Sequence, residues 1–296
     1  FALPAFSATQ TVTTTADSGA GSLRQAIADA TTGDTIVFNL TYPATITLSS
    51  TLSIGKNLSI TGSGVASLTI SGNNALRVFD ITAGTITISD LTISNGRSAA
   101  ASDSGAGIRL GGSANLTLDR CKVSNCSLTG SGDLFGGGIS VGATATLTVL
   151  RSYFYQNTVL MTSYGGGGAI DNLGTLTVVD STFEGNSAYL GGAFQDRSNG
   201  KVVTLEGCTF SGNTSDNQGV VFHMGNSSLN VTNCTITKNY STNASTSWEA
   251  GLSVYNSSGT PGGTFTLKNT VVAGNVATTG LGDSDIYFDP TGIYSG

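Results

Sequence analysis

Proton-transfer or nucleophilic chemistry in this chain would have to be built from few parts: one histidine, 18 Asp and Glu, and four cysteines in 296 residues. Arg109, Ser140, Asp171, Gln195, His223 and Ser253 each follow a glycine-containing phrase, such as "GGAI" (167–170) or "GGAF" (191–194), and read as one outward column. Asp171 and His223 are its candidate catalytic pair. Glycoside hydrolysis needs two carboxylates about 5–10 Å apart, and a base must touch its orienting partner at roughly 3 Å. With Gln195 between them, Asp171 and His223 stand two strand spacings apart, about 10 Å. Asp196 alternates to the opposite face. A calcium-assisted lyase would want clustered Asp beside a basic residue, and Asp283, Asp285 and Asp289 cluster without Lys or Arg nearby. Calcium is compatible with that cluster but not indicated. The column is therefore expected to be a solvated face of a protein that is not an enzyme, with no cofactor.

A column exists only if the chain repeats. The phrases "ITISDLTISNG" (from Ile86), "LTLDRCKVSNC" (Leu116), "LTVLRSYFYQN" (Leu147), "LTVVDSTFEGN" (Leu176), "VTLEGCTFSGN" (Val203), "LNVTNCTITKN" (Leu229) and "FTLKNTVVAGN" (Phe265) share one pattern, their starts 26 to 36 residues apart. Each unit carries two or three short strands of period-2 alternation and cannot bury its apolar face alone, whereas stacked units can. The pattern predicts an all-β fold: a single right-handed parallel β-helix of about nine to ten coils over residues 11–296. Ile93, Val123, Phe154, Phe183, Phe210, Ile236 and Val272 should form an inward stack. Asn157, Asn186, Asn213, Asn239 and Asn275 follow three residues later at a bend, where Asn tolerates the left-handed conformation and its amide can bond the same amide one coil away. Residues 21–30 form the one convincing helix, a lid on the first coil, with Ser22 and Gln25 spaced as a capping box.

Composition narrows the class further. Only 10% of residues are charged, Gly reaches 41, and the net charge is -6. No basic patch could neutralise phosphates, which excludes a nucleic-acid partner. No run of 18 apolar residues occurs, so no transmembrane helix is expected. Residues 1–10, "FALPAFSATQ", read as an apolar arm or the remnant of a secretory signal, and either fits an extracellular or cell-surface protein.

The phrases "GGAI", "GGAF", "FYQN" (154–157), "FEGN" (183–186) and "FSGN" (210–213) resemble the paired tetrapeptides of chlamydial polymorphic outer-membrane proteins. The opening "TADSGAGSLRQAI…GDTIVF" is similar to the N-terminal cap of bacterial secreted β-helix proteins of that type. The likeness spans roughly residues 10 to 280 and implies an adhesin-like or surface-structural role.

Three further features bear on function. Cys121, Cys208 and Cys234 share one inward column with Ser152 and Ser181. Cys208 and Cys234, on consecutive coils, are within disulfide range, and Cys121 could reach Cys126 across a bend; a stack of buried thiols is the alternative. No metal site is expected, for there is no C-x-x-C pair. Thr-x-Thr ranks, among them Thr146/Thr148 and Thr175/Thr177, resemble the flat faces of ice-binding β-helices, although Thr is favoured on any exposed strand. The long insertions leave one edge and carry Phe135, Tyr164, Tyr189, Tyr240 and Trp248, aromatic residues suited to recognition of a glycan or protein surface. The reading that results is a secreted structural or adhesive β-helix binding through its loop-bearing edge. Its alternatives are an extracellular filament in which the chain is its own partner in a homopolymer, and a polysaccharide-active lyase or hydrolase. An ice-binding face ranks below these.

Overall fold

A computed structural model describes residues 7–160, 165–242, 250–255, 263–277 and 285–288. Short alternating strands cannot pair within one repeat, so each pairs with its counterpart one coil away, and every such pairing is parallel. The result is a right-handed solenoid of about 8 turns. Among the described residues the outermost strands are Thr9–Val12, which joins the first sheet, and Ile286–Phe288, which joins the third.

One turn shows the plan. Ile170–Asn172 lies in the third sheet, Thr175–Val179 in the first, Thr182–Glu184 in the second and Ser187–Ala188 in a narrow fourth ladder. The first sheet has 10 strands, the second and third 9 each, the fourth 7. Every second side chain of the first sheet points into one continuous core, as with Leu147, Val149, Leu176 and Val178. The second sheet carries the expected inward stack in register. Phe154 and Phe183 lie with ring centroids 4.7 Å apart and planes 3° from parallel, and Phe183 repeats this on Phe210 at 4.6 Å. Strand spacing imposes that separation, and it suits ring stacking.

The asparagine column forms a buried ladder. Asn157 donates from its backbone N and from Nδ2 to Asn186 Oδ1, both at 3.0 Å, and Nδ2 also reaches Val123 O at 2.9 Å. Asn186 repeats this on Asn213, Asn213 on Asn239, and Asn239 on Asn275. The last rung uses a different acceptor, with Asn275 donating to Asp285 Oδ1. The left-handed residue of the bend is the one before the rung: Gln156, Gly185, Gly212, Lys238 and Gly274 have φ between 53° and 69°. The asparagines are therefore placed for their amides and not for left-handed backbone. A similar bend precedes the cysteine–serine column, with Arg120, Arg151 and Asp180 left-handed. There Cys121 N donates to Ser152 Oγ and Ser152 N to Ser181 Oγ.

All four cysteines are free and buried in this structure, in the arrangement of the stacked thiols, with neither Cys208 joined to Cys234 nor Cys121 to Cys126. Their thiols donate to backbone carbonyls; Cys208 bonds Glu206 O, and Cys234 bonds Thr232 O and, one coil away, Leu205 O. Burial pushes the Cys121 and Cys126 thiols up to about 12, so neither is a nucleophile at neutral pH.

The lid is the helix Leu23–Asp29, burying Leu23, Ala26 and Ile27. Ser22 Oγ accepts from Gln25 N at 3.1 Å, but the Gln25 amide turns to Asp29, so half of the capping box forms. No helix among the described residues is long and apolar enough to cross a membrane.

Replacing Asn186 by Ala takes the acceptor from buried Asn157 N, leaves Asn157 Nδ2 with only its bond to Val123 O, and removes a donor from Phe154 O. The expected loss is about 3 kcal/mol, read as a lower urea midpoint at unchanged far-UV circular dichroism. Phe183→Ala, which opens a void in the ring stack, should cost about 3–5 kcal/mol in the same titration.

Candidate functional site

The outward column of the third sheet runs Asp80, Arg109, Ser140, Asp171, Gln195, Phe222 and Ser253. His223 is not in it. It pairs with Asp196, in the inward column, because the phrase before it is "QG" and not "GG", and anchoring on the wrong glycine moves the register by one. A one-residue slip turns every side chain to the other face.

The histidine belongs to a buried polar cluster inside the solenoid. His223 Nδ1 lies 2.8 Å from Asp196 Oδ2, which also accepts from Ser227 Oγ at 2.6 Å. Asp196 Oδ1 accepts from Asn172 Nδ2 at 2.8 Å and Ser198 Oγ at 2.7 Å. All five residues are at most 1% exposed. Burial pushes the Asp196 carboxyl up, but the bonds and charge from His223 and the bonds from Ser227 and Ser198 outweigh it and hold the pKa below the ordinary carboxylate value. Sealed from solvent, the cluster ties three coils together and offers no access to a substrate.

The column is partly solvated at Asp80 and Arg109 but buried from Ser140 to Ser253. Asp171 is 1% exposed and Gln195 fully buried, since loop strands Leu134–Phe135 and Gly165–Gly166 pair above them. Gly166 makes room for the Gln195 amide, because a Cβ there would fall 1.6 Å from Gln195 Oε1 and would push that side chain aside. The double glycines are equally constrained. Gly167 takes φ +67°, and a Cβ on Gly168 would fall 2.0 Å from Gly192 O.

Asp171 does have a partner, found two positions beyond Gln195. Arg197 Nε and Nη2 donate to its two carboxylate oxygens at 2.9 and 2.8 Å. Burial raises the Asp171 pKa and Arg197 opposes it; the two-point contact, with both oxygens accepting, is that of an ionised carboxylate. The Arg197 guanidinium also sits over the Phe135 ring at 3.6 Å. Asp171 and His223 are thus in separate polar groups on opposite faces of one strand layer, which removes them as a catalytic pair.

Outside this pair lies a cleft of about 450 Å³. Phe135, Tyr189, Phe222 and Tyr255 supply aromatic surface, Gln195, Asn217 and Gln218 supply amides, and Asp133 and Arg197 supply charge. Of the predicted binding residues, Phe135 and Tyr189 line it. Tyr240 does not; it is 46% exposed in the fourth ladder. Tyr164 and Trp248 lie outside the described residues, as do Asp283 and Asp289, while Asp285 caps the ladder. Arg197, Gln218 and Phe222 carried no signal in the sequence; only correct register would have placed Phe222 beside Gln195.

Parallel sheets stacked coil upon coil beneath a helical lid define a β-helix protein. The family described as the right-handed beta helix region matches residues 44–188 and 79–276, and the chain belongs to it. A search of curated proteins finds no match. Among solved structures, the major allergen of cedar pollen, jun a 1, is similar at 15% identity and TM-score 0.50, over 95% of this chain and 84% of that one. A mutant form of the PL6 family alginate lyase AlyGC is similar at 16% identity and TM-score 0.47, over 91% of this chain but 39% of its own length. A polygalacturonase from Erwinia carotovora ssp. carotovora gives 10% and 0.38, over 97% and 99%. These likenesses are of fold.

Asp196 has a depressed folded pKa, so its contribution to stability is present above the unfolded carboxylate value of about 3.9 and lost as pH falls through the folded value. Thermal melts of Asp196→Asn should show a lower midpoint at pH 6 and a gap to the wild type that narrows towards pH 2. A gap independent of pH would contradict the assignment.

Proposed function

We propose that the protein is an extracellular, adhesive β-helix that binds glycan through the aromatic cleft on its loop-bearing edge. The observation that carries this reading is the cleft itself: half-buried Tyr189 and Tyr255 beside three amides, on a scaffold whose side chains are fixed by stacked coils. Aromatic faces and amide groups are the two partners a sugar ring uses, the first for its C–H face and the second for its hydroxyls. A rigid rod gives such a site without an ordering cost on binding. The resemblance to the chlamydial surface repeats supports display at a cell surface. Binding is favoured over cleavage because Asp133 is the cleft's single carboxylate among the described residues, and hydrolysis of a glycosidic bond ordinarily uses two. The ice-face reading loses support from the register shift between Asn199 and Val202, which interrupts the outer threonine rank.

Glycan microarray binding followed by titration calorimetry tests the proposal. Tyr189→Ala and Tyr255→Ala should each weaken binding about tenfold, the loss typical of a contact aromatic, with the melting temperature of the rod unchanged. Binding untouched by both variants would overturn the site, and release of reducing ends or unsaturated products would move the protein to the enzyme class.

A further inference from the structure

The charges and unpaired atoms of the cleft narrow its ligand. Among the described residues Arg197 is the only cation lining it, and that cation is already engaged at two points by Asp171 and stacked on Phe135. Asp133 adds a further negative charge near it. Arg197, Asp171 and Asp133 together sum to -1, in a chain whose own net charge is -6. A sugar carboxylate or sulfate would meet no uncommitted positive group among these residues and would be repelled.

The uncharged polar groups ask for something else. Gln195 Oε1 and Gln218 Oε1 are buried acceptors without a hydrogen-bond partner. The Gln195 amide makes only a long contact from Nε2 to Met224 Sδ, at 3.8 Å. Buried carbonyl oxygens are costly to leave unpaired and are satisfied by donors. The terminal amide torsion is soft, so either oxygen can turn to meet a donor in the cleft. Hydroxyl groups donate; carboxylates and sulfates do not.

We infer that the cleft takes a neutral, hydroxyl-bearing glycan and discriminates against uronate and sulfated sugars. Gln195 and Gln218 accept from its hydroxyls, and Arg197, held by Asp171, serves as a stacking wall and not as an anion receptor. This rests on the glycan-binding reading and adds the class of sugar.

Calorimetry at low salt on the full chain would compare cellohexaose, xylohexaose and chitohexaose with hexamers of galacturonate and mannuronate. At least one neutral hexamer should bind tenfold or more tightly than either acidic one. Gln195→Met and Gln218→Met, close in volume but without an acceptor amide, should each weaken neutral binding about tenfold. Asp171→Asn frees the guanidinium and should raise affinity for the acidic hexamers severalfold, provided its circular dichroism matches the wild type. Acidic hexamers binding as well as neutral ones would overturn the inference while leaving the glycan site standing, as would Gln variants without effect. No binding by any hexamer would sink both.

Discussion

A hydrogen bond between neighbouring coils, repeated along the chain, is the constraint on which the rest of this structure depends. No described strand exceeds eight residues and many have two or three, so none is stable except against a copy of itself. The backbone ladders supply most of these bonds, but they fix only spacing. The asparagine rungs also fix phase. From Asn186 to Asn275 each Oδ1 collects two donors from the coil before it, and each Nδ2 also bonds a backbone carbonyl of that coil. A coil that slipped by one residue would leave several buried polar groups unpaired at once. The phenylalanine stack alongside does the same with shape.

That phase is why the cleft exists. Its members come from coils far apart in sequence, Phe135 on one, Tyr189 and Gln195 on another, Phe222 and Tyr255 on later ones. The loop pairing of Leu134–Phe135 with Gly165–Gly166 roofs the sheet, and the glycine at 166 leaves room for the Gln195 amide. A face that period-2 alternation marks as outward becomes an interior wall, and Asp171 acquires Arg197 as a neighbour instead of water.

These two levels were unequally legible in the sequence. The solenoid, the phenylalanine stack and the asparagine ladder could be read because they obey a period, and periods survive in one sequence. The period placed the cysteine column but left its chemistry open, since proximity of Cys208 and Cys234 does not decide oxidation. His223 was misplaced by one residue for want of a second glycine, and that error moved it from the core to the surface. Arg197 and Gln218 followed no repeat at all. They matter through contacts across coils and loops, which alternation does not encode.

The rung that begins the ladder has a mechanical consequence. Cys126 N bonds to Asn157 Oδ1, and the coil before it has Gly96 at that place. The coils from Asn157 onward share a buried amide ladder, whereas the earlier ones are tied by separate side-chain bonds such as Arg109 to Asp80 and Arg120 to Asp90. Inter-coil bonds lie along the rod, so a pull on its two ends loads the interfaces in series. The amide ladder puts buried side-chain bonds across the interfaces between the coils that carry the cleft, so a load on the rod is shared there by more than backbone.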